Sequence, residues 1–355
     1  MANSDGYNIG VLGATGVVGR LLLDILAERA FPVKALRPLA SANSLGKTVS
    51  FAGQEYSVEE TTEDSFDGLD ILFASAATGA NRHFSPIAAR AGVTVIDDSS
   101  AFRMDPDVPL VIAGVNDDDL NWHNGIIAGP NCTTMQLVIA INPIHRVNPI
   151  RRMVVDTYQA VSGWGRDAVV ELDDQIKAKA AGNGDELPRE IFRHDILENV
   201  LPEVDSFLDD GYTKEEWKVM HETRRIMHAP EMKITCTAVR VPVAVSHSEA
   251  VHLELTRPMT AAEVRAVLDG APDVRVVDDP SQGLYPVATD AAGTDDVLIG
   301  RIRADVSHEN GVAMWVVADN LRCGAATNAV RTAELLIERD LLHGAAVPAA
   351  SKSAG

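Results

Sequence analysis

The chain has 355 residues, 46% of them apolar and 23% charged, the proportions of an ordinary globular protein, and at ~150 residues per domain it predicts two domains. Collagen-like, disordered and disulfide-scaffold classes are excluded for the chain as a whole. Lys and Arg number 31 against 51 Asp and Glu, a net charge of −20 with no basic run, which argues against nucleic acid or a membrane surface as partner.

Residues 8–12 form an apolar run predicted as the first strand. A glycine-rich turn follows, and Val17, Val18, Leu21, Leu22, Ile25 and Leu26 then recur at helical spacing. Further strand-like runs lie at 69–74, 93–96, 110–115 and 126–128, with an Ala-rich helical stretch at 86–91. This alternation predicts an α/β, Rossmann-type, doubly wound parallel sheet covered on both faces. Beyond residue 150 the character changes. Runs at 152–161, 234–245, 251–255, 297–304 and 313–318 predict a second, α+β domain with a mostly antiparallel sheet. Residues 180–186 read as an exposed loop and 328–339 as a last amphipathic helix. The expected division is 1–130 with the C-terminal helix 325–343, then 131–324, then a disordered tail at 344–355.

Three cysteines, Cys132, Cys236 and Cys323, are too few and too scattered for a disulfide framework, and no CxxC spacing suggests a metal site. No signal-peptide pattern opens the chain and no apolar run reaches 18 residues. The expectation is a cytoplasmic protein in a reducing compartment, without a metal.

The clearest local motif is Gly13-Ala14-Thr15-Gly16-Val17-Val18-Gly19, between the first strand and first helix. Glycines let backbone approach a pyrophosphate, and the helix N-terminus offers free N–H groups; the plainer reading is a tight strand-to-helix turn. No Asp or Glu occurs from Ala30 to Gln54 to hold a ribose hydroxyl, while Lys34, Arg37, Ser41, Asn43, Ser44 and Lys47 do, which favours NADP. Pro130-Asn131-Cys132-Thr133-Thr134 precedes an apolar helical run, placing Cys132 at a helix N-terminus where the dipole favours a thiolate. Cys236, within a β-branched run, fits an inert core thiol. His247 ends a strand-like segment that also contains Arg240. A cysteine, a histidine and an arginine suggest thiol chemistry on a carboxylate-bearing substrate, and spacing alone leaves open whether they meet.

From Gly10 to about Glu338 the chain resembles the aspartate-semialdehyde dehydrogenase family. The resemblance is carried by the glycine turn, Ser99-Ser100-Ala101-Phe102-Arg103, Pro130-Asn131-Cys132-Thr133-Thr134 and Tyr158-Gln159-Ala160-Val161-Ser162-Gly163. It continues through Glu215-Glu216-Trp217-Lys218, Glu222-Thr223-Arg224, Val239-Arg240-Val241-Pro242 with His247-Ser248-Glu249, and Asp319-Asn320-Leu321-Arg322. Eight such segments in the family's order are specific.

The resemblance implies reversible, NADP-dependent conversion of aspartate semialdehyde and phosphate to aspartyl phosphate, in biosynthesis of lysine through diaminopimelate, threonine, methionine and isoleucine. Cys132 would be the nucleophile that forms a hemithioacetal and then a thioester, and His247 the acid/base with a pKa near 6.5. Gln159 would orient the reacting groups, and Asn131 with the Cys132 N–H would stabilise the oxyanion. Arg240 would clamp the α-carboxylate and Glu215 receive the α-ammonium, beside Ser162 and Gly163. Arg103 and Lys218 would hold phosphate. Gly13, Thr15, Gly16, Val17, Val18, Gly19, Ser41, Asn43, Ser44 and Asn320 would bind NADP. A homodimer or dimer of dimers through the second domain is implied. The sequence departs from the family pattern at Asn43, where an Arg is usual for the 2′-phosphate, and at Asp98, Ile112-Ala113-Gly114, Gly129, Trp164 and Cys323. Two alternatives are N-acetyl-gamma-glutamyl-phosphate reductase and a catalytically silent NADP-binding paralogue. The second should have lost Cys132, Gln159 or His247.

Overall fold

The computed structural model describes residues 6–183 and 187–342, so the predicted tail at 344–355 and part of the predicted loop at 180–186 lie outside the described residues. The chain divides into two compact units. One runs to Pro130 and resumes at Ala326; the other spans Asn131–Ala325.

The first unit contains β1 (Tyr7–Leu12), α1 (Val17–Glu28), β2 (Val33–Ala40), β3 (Thr48–Phe51), β4 (Gln54–Ser57), β5 (Glu59–Glu60), β6 (Ile71–Ala74), α2 (Thr78–Arg90), β7 (Thr94–Asp97) and β8 (Ile126–Ala128). Its six-stranded sheet runs β5-β2-β1-β6-β7-β8 with every pair parallel. Within that sheet the strands fall in the order 3-2-1-4-5-6, the doubly wound dinucleotide-binding arrangement. β6 and β7 are buried throughout because both sheet faces are covered. α1 contributes Leu22, Leu23, Ile25 and Leu26 to this core, and the C-terminal helix Thr327–Glu338 adds Ala329, Val330, Ala333 and Leu336.

One local reading changes. The run 110–115 makes only a single bridge, Leu110 to Ala128. Asn116 replaces a neighbouring strand there: its Oδ1 accepts from the Ile112 N–H at 2.9 Å and its Nδ2 donates to the Leu110 carbonyl at 2.8 Å. Conversely β2 forms although Pro38 interrupts it, because β5 pairs only with Leu39 and Ala40 and leaves position 38 on the open edge.

The second unit holds α3 (Cys132–Val147), β9 (Ile150–Gln159), α4 (Arg166–Ala180), α5 (Lys214–Ile226), β10 (Lys233–Arg240), β11 (His247–Leu255), α6 (Ala261–Asp269), β12 (Val274–Val276), α7 (Ala288–Ala291), β13 (Val297–Ala304) and β14 (Gly311–Ala318); the C-terminal helix of the first unit is then α8. Its sheet runs β10-β9-β11-β14-β13-β12 and is mixed, with β9, β11, β14 and β13 successively antiparallel and β10 and β12 added in parallel at the edges. β11 alternates strictly between buried and half-buried residues, so His247, Glu249, Val251, Leu253 and Leu255 share the inner face. α3, buried along most of its length, packs on β9, β13 and β14. The sequence reading of this unit missed α4, α5, α6, α7 and the edge strand β12.

Candidate active site

Asn131 caps α3: its Oδ1 accepts from the backbone N–H groups of Thr133 at 2.9 Å and Thr134 at 3.2 Å. That places half-buried Cys132 as the first helical residue, with its Sγ 3.3 Å from Nε2 of His247. His247 opens β11 and is fully buried. The residue before it, Ser246, adopts φ +80°, a costly conformation for a side-chain-bearing residue. Asn320 holds it there, accepting from the Ser246 N–H at 2.9 Å while donating through Nδ2 to Ser162 Oγ at 3.0 Å. The Asn320 side chain thus braces the histidine loop.

The Ala160 N–H donates to His247 Nδ1 at 2.9 Å. A ring nitrogen that accepts a hydrogen bond carries no proton, so the neutral imidazole keeps its proton on Nε2, facing the sulfur. Burial first, and then the positive charge of Arg240, push His247 down to about 3, with Glu215 opposing. The expectation of an ordinary imidazole near 6.5 is therefore corrected. The ring is neutral at physiological pH and acts as an N–H donor.

α5 brings a buried carboxylate into the same cluster. Glu215 Oε1 accepts from Asn131 Nδ2 at 3.0 Å and from Gln159 Nε2 at 3.1 Å, and Oε2 from Lys218 Nζ at 3.1 Å. Burial alone would raise its pKa. The charges of Lys218 and Arg240 and the hydrogen bonds from Lys218 and Asn131 outweigh burial and hold Glu215 at about 2. Lys218 also donates to Asp205 Oδ2 at 2.9 Å. Arg240, 2% exposed, donates through one terminal nitrogen to the Ala160 carbonyl at 2.7 Å. A Cβ on Gly163 would lie 2.9 Å from that guanidinium and 3.1 Å from His247 Nε2, so only glycine lets this turn close on both.

Two residues outside the sequence-based set also belong here. Glu222, two helical turns along α5 from Glu215, accepts from the Asn131 N–H at 2.7 Å. Gly324 abuts Cys132, since a Cβ there would stand 2.9 Å from Cys132 Cβ. Glu222 stood in a quoted segment without a role, and no sequence signal marked Gly324.

In the first unit Gly13 takes φ +86° and would place a Cβ 2.8 Å from the Ser75 carbonyl, while a Cβ on Gly19 would sit 2.3 Å from the Gly13 carbonyl. The turn is thus closed tightly by glycine. Gly16 caps α1 without a side-chain hydrogen bond, and the first turn, with Val17 and Val18, contains no acid. An uncapped, acid-free helix start fits a pyrophosphate. Ser41 and Asn43 are exposed beyond β2, whereas Ser44 is buried with its hydroxyl 3.1 Å from Thr15 Oγ1. Arg103 is also in this unit, buried, donating to the carbonyls of Gly129 at 2.9 Å and Asp98 at 2.7 Å. Asp98 is raised to about 7, chiefly by burial. Among the described residues no group of three or more His, Cys, Asp or Glu is placed to hold a metal ion, and no helix is long and apolar enough to cross a membrane.

Residues 8–123 match the family model described as semialdehyde dehydrogenase, NAD binding domain, and residues 141–323 the one described as semialdehyde dehydrogenase, dimerisation domain. Aspartate-semialdehyde dehydrogenase of Aquifex aeolicus is 48% identical over 341 residues, 95% of this chain and 100% of that one. The Legionella pneumophila enzyme of that name is 46% identical over 344 residues, 96% and 98% of the two chains. Among solved structures, aspartate semialdehyde dehydrogenase II from Vibrio cholerae superposes with a TM-score of 0.91 at 42% identity, covering 94% of this chain and 99% of that one. That enzyme has also been solved complexed with ASA. The chain belongs to the aspartate-semialdehyde dehydrogenase family, aldehyde oxidoreductases with a nicotinamide-dinucleotide-binding domain.

Proposed function

We propose that the chain catalyses the reversible conversion of L-aspartate 4-semialdehyde, phosphate and NADP to L-4-aspartyl phosphate and NADPH through a thioester on Cys132. The observation that carries this reading is the 3.3 Å approach of Cys132 Sγ to a buried, Nε2-protonated His247, inside a cluster that offers both a guanidinium and a carboxylate.

The Cys132 thiolate adds to the aldehyde carbon and the carbonyl π electrons move to oxygen. His247 Nε2–H and the remaining N–H of Asn131 Nδ2 are the donors for that oxyanion. The oxyanion re-forms the carbonyl as hydride leaves the carbon, so the thioester arises without a proton passing through His247. Bound NADP supplies the hydride acceptor. Phosphate oxygen then attacks the thioester carbon, the C–S bond breaks, and the thiolate returns to the Nε2–H. Arg240 retains guanidinium donors for the α-carboxylate, Glu215 offers the counter-charge for the α-ammonium, and Gln159, fixed by Glu215, borders the reacting group. Arg103 and Lys218 are the cations for phosphate. The glycine turn 13–19 would hold the pyrophosphate of NADP, and Ser41 and Asn43 would bind its 2′-phosphate. A reaction of this kind supplies the aspartate-derived amino acids lysine, threonine, methionine and isoleucine in the cytoplasm.

The test is purified protein with semialdehyde, with and without phosphate, followed by nicotinamide absorbance with NADP and NAD in parallel. Sustained, phosphate-dependent reduction of NADP is expected. Reduction indifferent to phosphate would contradict the acyl-phosphate product.

A further inference from the structure

One step below His247 on β11 lies a second buried acid that the reaction scheme leaves unused. Glu249 shares the inner sheet face with His247, and two residues along a strand place them about 7 Å apart. It is 0% exposed, and neither carboxyl oxygen has a hydrogen-bond partner. Its cross-strand neighbours, Thr157 on β9 and Val316 on β14, bring no positive charge. The polar side chain set against it is Gln136, one helical turn after Cys132 on α3. Gln136 Nε2 donates to the His247 carbonyl at 3.4 Å, while its buried Oε1 has no partner. An ionised carboxylate here would be a buried charge without a counter-ion, and burial indeed pushes the Glu249 carboxyl well above the usual carboxylate range. The neutral acid carries one O–H donor, and Gln136 Oε1 is the acceptor that lacks one.

We propose that Glu249 is a positioning residue that works as an uncharged acid: its O–H is given to Gln136 Oε1, which fixes the Gln136 amide with its N–H on the His247 carbonyl and ties the first turns of α3 to the start of β11. This clamp sets the Cys132–His247 approach, and it rests on reading those two residues as the reacting pair. It accounts for the buried Gln136 Oε1 and Glu249 carboxyl, which otherwise lack partners beneath the site, through one hydrogen bond made by the protonated acid. A displacement of about 1 Å at reacting atoms is worth roughly a hundredfold in rate, so a loosened clamp is felt in turnover before it is felt in folding.

Three variants test it. Glu249→Gln keeps an uncharged donor of the same shape; its kcat and the rate at which iodoacetamide alkylates Cys132 should both stay close to wild type. Glu249→Leu removes the donor while keeping an apolar, well-filled site; kcat should fall roughly tenfold or more at unchanged semialdehyde KM, with an altered alkylation rate and an undiminished melting temperature. Gln136→Leu should reproduce the Glu249→Leu pattern, and the double variant should be no worse than either single one. Two results would overturn the proposal. Wild-type kcat and alkylation in Glu249→Leu would remove the clamp; a Glu249→Gln variant as impaired as Glu249→Leu would show that an ionised carboxylate is needed. The alkylation rate requires no substrate, so it tests the clamp even if the protein proves not to oxidise the semialdehyde.

Discussion

Glu215 organises much of the candidate site. It receives Asn131, Gln159 and Lys218 on its two oxygens and is a counter-charge to Arg240. Its folded pKa of about 2 lies below the ordinary 4.5, so its ionised form adds stability that is complete above pH 4.5 and fades as pH falls towards 2. Glu215→Gln should therefore be less stable than wild type at pH 7, with the difference shrinking by pH 3. Urea denaturation at the two pH values measures this, and a gap that is constant with pH would disprove it. Arg240→Lys should raise the semialdehyde KM far more than the phosphate KM, because an ammonium does not reproduce two parallel hydrogen bonds to a carboxylate. The opposite pattern would give Arg240 to phosphate. At Asn43 the missing guanidinium matters: a charged hydrogen bond is worth about 1.5–3 kcal/mol, so Asn43→Arg should lower the KM for NADP roughly ten- to a hundredfold, and an unchanged value would place position 43 away from the 2′-phosphate.

Elements explain what was legible in the sequence. The turn 13–19, the start of α3 and the segment 240–247 each announce themselves by residue types that have few other uses: glycines closing a turn, a capping Asn before Cys132, and a His entering a strand. α5 gave a weaker signal, because it is mostly charged and polar and its inward face mixes Val219, Met220 and Ile226 with Glu215, Glu216, Glu222 and Thr223. Periodicity finds helices that bury hydrocarbon alone, and this one buries carboxylates beside it. Its N-terminus was readable in hindsight as a capping box, Thr213 with Glu216. Thr213→Ala should cost about 1 kcal/mol of stability and, because α5 carries Glu215 and Lys218, also lower kcat/KM. Thermal melting with kinetics on the folded protein checks both; a loss of stability with kinetics intact would show that the helix start does not control the site. The perturbed state of His247 was illegible for another reason. It depends on the Ala160 N–H, 87 positions away in the chain, and on burial that no local pattern encodes.

At the scale of the whole molecule, a dinucleotide-type unit is joined in one chain to a mixed-sheet unit that contains the Cys132–His247 pair. The outer face of the second sheet exposes Tyr158, its ring tilted against Trp315 at 5.4 Å between centroids, and beside it a hollow of about 490 Å³ lined by Ala250, Tyr285, Val287 and Met314 with Arg301 and Arg303. An aromatic and aliphatic surface of this kind fits a second copy of the chain, in line with the dimerisation domain its residues match. Light scattering should give at least twice the chain mass of 38.0 kDa, and Trp315→Asp should shift it towards the single chain. A stable monomer in the wild type at micromolar concentration would refute the dimer.

The central claim, a thioester on Cys132, is tested most directly by rapid mixing with semialdehyde and NADP in the absence of phosphate. A burst of NADPH approaching one equivalent per reactive thiol is expected, followed by near-arrest until phosphate is added, with no burst in Cys132→Ala. Continuous turnover without phosphate, or a burst that survives in Cys132→Ala, would contradict it.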